Sequence, residues 1–152
     1  MTNLKTTRHL LHSMLLVTAT LIAACEAGNS HSAAERTALR WADAYFHVDY
    51  ADAADYVTTE SRRWLQLVAS NMTEGDLKAM QSAKATVAMR SYEAVNDTLG
   101  VATIEAADYL QPDSIGRPGS IQAGGVFYIT VVRRDGNWQV IMDGLPRAAR
   151  GQ

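Results

Sequence analysis

Four kinds of side chain in this 152-residue sequence have the chemistry to act on a ligand: one cysteine, four histidines, six tyrosines and a set of carboxylates. The single cysteine, Cys25, directly follows Ile22, Ala23 and Ala24, and a lone cysteine excludes any disulfide within the chain. No histidine or cysteine pair has the spacing of a zinc site, so no transition metal is expected. His47 stands two residues before Asp49, and side chains two apart do not share a helix face. The phenols Tyr45, Tyr92 and Tyr128 and the carboxylates Glu93, Glu105, Asp108 and Asp143 are the candidates for acid-base work. Such a group needs a pKa shifted by burial, and none of these residues forms a spacing motif. "IGRPGS" (115–120) lacks the lysine and following helix of a phosphate loop, and there is no Gly-x-Ser-x-Gly elbow.

The first residues carry Lys5 and Arg8 without an acid, followed by an apolar run from Met14 to Ala24. That run is far shorter than the roughly 20 residues of a spanning helix, and its basic start and small-residue end form a secretory signal pattern. Ile22-Ala23-Ala24-Cys25 resembles the lipobox of bacterial lipoproteins. The resemblance implies that Cys25 takes a diacylglycerol, that cleavage occurs before it, and that it becomes the first residue of the mature chain. With each buried methylene contributing about 0.8 kcal/mol, two or three acyl chains on one residue anchor it firmly. Glu26 follows the cysteine where the strongest inner-membrane retention residue of such lipoproteins is aspartate. The resemblance therefore implies the cell envelope, with the outer membrane favoured.

Without residues 1–24 the chain retains 128 of its 152 residues, the size of one domain with one core. Loss of Lys5 and Arg8 takes the formal net charge from −2 to −4, which argues against a nucleic-acid partner.

Residues 25–32 are polar and small and read as a tether; residues 33–145 form the domain and 146–152 a tail. Ser32-Ala33-Ala34-Glu35 has the spacing of a capping box. Ala38, Trp41, Ala42, Tyr45 and Val48 then recur at helical spacing. Asp49 is placed to cap a short second helix, Thr59 a third with Trp64, Leu65 and Val68 on its apolar side, and Thr73 a fourth with Leu77 and Met80 apolar. Beyond Lys84 the residues become β-branched and aromatic: 86–95 and 101–110 read as antiparallel strands, 111–125 as a loop and 126–145 as a hairpin. Strict alternation puts Val87, Met89, Ser91 and Glu93 on one face and Ala88, Arg90, Tyr92 and Ala94 on the other. Asp135-Gly136 supplies a two-residue turn that sets Val131 opposite Val140, Ile129 opposite Met142, Thr130 opposite Ile141 and Tyr128 opposite Asp143.

Helices followed by antiparallel strands imply an α+β domain with the helices on one face of the sheet. "ADAYFHVDYADAADYVTTES" (42–61) and "RRDGNWQV" (133–140) resemble segments of the nuclear-transport-factor-2-like, cystatin-like superfamily, in particular its small bacterial lipoproteins of unknown function. The resemblance implies helices on a curved antiparallel sheet, with a cone-shaped cavity between them. Trp41, Tyr45, Met89, Phe127 and Ile129 are the residues assigned to such a pocket. No catalytic residue and no cofactor is assigned. The expected function is a non-enzymatic binding or interaction module on the membrane, serving an envelope protein, a small apolar ligand or a second copy of itself. The alternative is an isomerase-like or dehydratase-like enzyme that uses the same cavity.

Overall fold

The computed structural model describes residues 32–149; Cys25, the signal segment and most of the tether lie outside them, as do 150–152. The first helix, α1 (Ala33–Phe46), begins with the expected capping box: Glu35 N–H donates to Ser32 Oγ at 3.2 Å, and Ser32 N–H to Glu35 Oε2 at 2.6 Å. Its buried stripe comprises Ala38, Trp41, Ala42 and Tyr45, but Val48 is not part of the helix. Val48 sits at φ 64°, where Val48 N–H bonds Tyr45 O (3.0 Å) and Asp49 N–H bonds Ala44 O (2.9 Å). These two bonds close the helix in the manner usually given to glycine.

Asp49 caps α2 (Tyr50–Ala53), with Asp52 N–H donating to its Oδ1 at 3.1 Å. Helix α3 (Arg62–Ser70) buries Leu65 and Val68 and is preceded by a 3₁₀ turn over Thr59–Ser61, so Thr59 is not its cap. Ser61 occupies the cap position, yet its hydroxyl is committed elsewhere, accepting from Met142 N–H at 2.8 Å. Tertiary demand for that hydroxyl overrides the local capping rule. Helix α4 (Glu74–Ser82) has the capping box of Thr73 and Asp76; its buried residue is Asp76, while Leu77 is exposed.

Four strands form the main antiparallel sheet in the order β1-β2-β5-β6: β1 (Thr86–Asn96), β2 (Leu99–Ala107), β5 (Gly125–Arg134) and β6 (Asn137–Ile141). The expected strand over 101–110 is broken at Asp108, whose φ of 52° turns the chain out of the sheet. β3 (Tyr109–Gln111) then pairs with β4 (Ser120–Gln122), which lies inside the segment expected to be a loop. Strict alternation along β1 also fails, because Arg90 is an extra residue in a bulge between Met89 and Ser91. A bulge reverses the phase of everything after it. Val87, Met89 and Tyr92 are consequently half-buried opposite Ala106, Ile104 and Ala102, with Ser91 and Glu93 exposed.

The β5–β6 turn is as expected, with Asp135 at φ 50°, Gly136 at φ 82° and Val131 opposite Val140. Ladder pairing stops at Thr130–Ile141, so Ile129–Met142 and Tyr128–Asp143 lie past its end. The architecture is thus α+β, with helices on one face of a curved antiparallel sheet. Its core joins Ala38, Trp41, Ala42 and Phe46 of α1 to Ala102 and Ile104 of β2, Phe127 and Val131 of β5 and Val140 of β6.

Candidate functional site

The residues assigned to a cone-shaped pocket are not gathered around one opening. Trp41, Tyr45 and Phe127 are buried, and the rings of Trp41 and Tyr45 stack 5.0 Å apart. Phe127 packs against Phe46 at 4.6 Å and Tyr109 at 5.3 Å, so aromatic rings fill this part of the space between sheet and helices. Met89 lies half-buried on the edge strand. Trp41 and Ile129 alone of the five border the largest described cavity.

That cavity, ≈ 490 Å³, is a notch at the end of the β5–β6 ladder. After Ile141 the chain bows away through Asp143, Gly144 and Leu145, then returns so that Ala149 N–H donates to Val126 O at 2.7 Å. Tyr128, Ile129 and Thr130 form one wall and Met142 to Arg147 the other, with Trp41 bordering the space from α1. The indole Nε1 of Trp41 is buried without a hydrogen-bond partner. The β6 flank is held by Thr58, whose N–H donates to Val140 O at 3.0 Å, and by the buried Thr58–Ser61 hydroxyl pair at 2.8 Å.

The candidate acid-base groups do not converge here. Burial pushes the Tyr45 phenol up, with Tyr50 adding to the effect; burial also raises Tyr50, with a contribution from the charge of Asp76. Both phenols are therefore protonated at neutral pH. Glu105 is held below the usual carboxylate range by hydrogen bonds from Arg90, which lie at 2.7 and 2.8 Å on the outer face of the sheet. Glu93 and Asp108 are exposed, and Asp143 is exposed at the rim of the notch. His47 Nδ1 lies 2.8 Å from Asp43 O and borders a second cavity of ≈ 470 Å³ with Lys84 and Asp108.

Asp76, not foreseen as important beyond its helix start, is the one buried carboxylate among the described residues. Burial raises its pKa, but hydrogen bonds from Thr73 N–H (2.7 Å), Thr73 Oγ1 (2.8 Å) and Gly119 N–H (2.6 Å) outweigh that and hold it low. It staples the 112–119 segment to α4 and has no lone acid-base role to play. Only its Thr-x-x-Asp spacing was visible in the sequence, because Gly119 is 43 residues away. Among the described residues, no three metal-binding side chains cluster and no helix is long and apolar enough to cross a membrane.

No protein-family model matches the chain, and no curated protein does. Among solved structures it is similar to a nuclear-transport-factor-2-like protein of unknown function from Shewanella oneidensis MR-1, at 9% identity and a TM-score of 0.46, covering 69% of this chain and 88% of that one. It is also similar to a nuclear-transport-factor-2-like protein involved in plasmid conjugation, at 13% identity and a TM-score of 0.45. That match covers 77% of this chain and only 48%, about half, of the other. At these identities and TM-scores the likeness carries nothing about ligand, activity or partner.

Proposed function

We propose that this protein is a lipid-anchored protein of the bacterial envelope, held through Cys25, whose domain is a non-enzymatic module that binds a protein partner. The observation that carries the binding part is the outer face of the sheet. Leu99, Val101, Val126, Thr130, Val132 and Ile141 are only half-buried there, and Tyr128 is 66% exposed. None of these side chains belongs to the core, whereas the opposite face packs against α1. An apolar face of this kind is characteristic of interaction surfaces. The packed aromatic interior supports binding over proton transfer. The address rests on the resemblance of Ile22–Cys25 to a lipobox, and the outer membrane is the favoured destination through Glu26.

The test combines two readouts. Intact mass of the detergent-extracted protein, beside a Cys25→Ala version, should equal residues 25–152 plus lipid only when Cys25 is present. A photo-crosslinking residue at position 128 should give one discrete adduct in membranes, with none from the same residue at Lys78 on exposed α4. An unlipidated mass refutes the anchor, and equal or absent adducts at both positions refute the binding face.

A further inference from the structure

The alternation of β5 determines where its main-chain groups point. Arg133 N–H bonds Thr98 O in the β1–β2 turn, while Val126 O accepts from Ala149 on the opposite edge. The β2–β5 register runs without a shift from Val126 to Val132, so even-numbered residues of this stretch direct N–H and C=O toward β6. Val140 agrees, because its carbonyl faces away from β5 and accepts from Thr58. Tyr128 therefore aims both main-chain groups toward the notch. On one side of it the ladder ends at Thr130–Ile141, and on the other Ala149 reaches Val126. Tyr128 is the gap between them.

We infer that the notch is a peptide-binding slot: a short extended segment of a partner protein presents the N–H and C=O of one residue to Tyr128 and completes the sheet there. This deepens the interaction-module reading and rests on it. One residue of an extended peptide offers its own N–H to the Tyr128 carbonyl and its own carbonyl to the Tyr128 N–H together, which is how an added strand is held. Trp41 borders the same cavity, so its indole proton reports on occupancy of the slot. Side chains of the inserted segment meet unlike surroundings, with Ile129, Val140 and Met142 on the helix side of the sheet and the exposed Tyr128 ring on the other. The volume, ≈ 490 Å³, lies within the roughly 300–1,000 Å³ of small-ligand sites, enough for a few residues and too little for a folded partner.

The probe is acetyl-Val-Thr-methylamide, compared with its analogue carrying an ester oxygen in place of the central amide N–H. Titrated into the isotope-labelled full chain in detergent, the peptide should shift the Tyr128 amide and Trp41 indole proton signals saturably. It should also slow Tyr128 amide exchange about ten-fold at saturation. The ester should bind about three-fold or more weakly, the loss expected for one hydrogen bond. Because the protein is unaltered in this comparison, misfolding does not obscure it. Equal affinity for amide and ester, or no response at Tyr128 and Trp41, overturns the slot. Shifts confined to Val101, Val132 and Ile141 also overturn it while leaving the open-face module standing. Faster Tyr128 exchange after removal of residues 150–152 would assign the slot to the chain's own end and overturn a partner.

Discussion

Asp76→Asn isolates the one buried carboxylate with almost no change of shape. In the parent, Oδ2 accepts from Thr73 N–H and Thr73 Oγ1, and Oδ1 from Gly119 N–H. An asparagine has one acceptor oxygen, so its amide nitrogen faces either the Gly119 donor or the Thr73 pair. One buried N–H is left unpaired at about 1–3 kcal/mol, and the surviving bonds lose their charge assistance, roughly half their strength. The total is about 2–4 kcal/mol, a large share of the roughly 5–15 kcal/mol that holds a domain of this kind together. Urea unfolding at pH 7 should show a lower midpoint with an unchanged slope, and the Gly119 amide should lose protection from exchange. The folded carboxyl lies below its unfolded value of about 3.9, so its stabilisation is fully present above that pH and is lost as pH falls through the folded pKa. The parent-variant difference should therefore shrink in acid. A loss under about 1 kcal/mol at pH 7, or a difference that stays constant down to pH 2, would refute the assignment of Asp76 as an ionised staple.

Three further outcomes follow from the same structure. Gly119→Ala should destabilise by about 2 kcal/mol or more in urea unfolding, because the added Cβ would lie 2.4 Å from the Gln111 carbonyl oxygen. Phe127→Ala should cost about 3–5 kcal/mol as a core truncation; a loss below about 1 kcal/mol would mean that Phe127 lines an open pocket after all. Arg90→Ala should leave the urea midpoint essentially unchanged, since its bonds to Glu105 are on an exposed face and the bulge it occupies is set by backbone register.

Local chemistry was legible wherever partners lie close in sequence. The capping boxes at Ser32 and Thr73, the Asp49 cap and the Asp135-Gly136 turn all appear as their residue types indicate. Each closes hydrogen bonds over two or three residues, so no distant group can compete for them. The failures share a different cause. Ser61 abandons its helix for Met142, 81 residues away, and Arg90 becomes an extra residue because β2 dictates the register. Asp108 breaks an apparently continuous strand so that Tyr109 can turn inward onto Phe46 and Phe127.

The candidate site divides along the same line. Trp41 and Tyr45 were placed on the apolar stripe of α1 by helical spacing, whereas spacing left open which face of the β5–β6 ribbon turns inward; the fold packs Tyr45 and Phe127 into the aromatic core. The sequence by itself determined that helices precede antiparallel strands, and it determined the hairpin register up to Thr130–Ile141, because these depend on contiguous residues. Tertiary structure alone decided the notch. It arises where the chain after Ile141 bows away and comes back at Ala149, leaving the peptide groups of Tyr128 without a neighbouring strand. Where a ladder stops is set by the competing bonds of Ser61, Thr58 and Val126, all remote in sequence, and no local pattern records that competition.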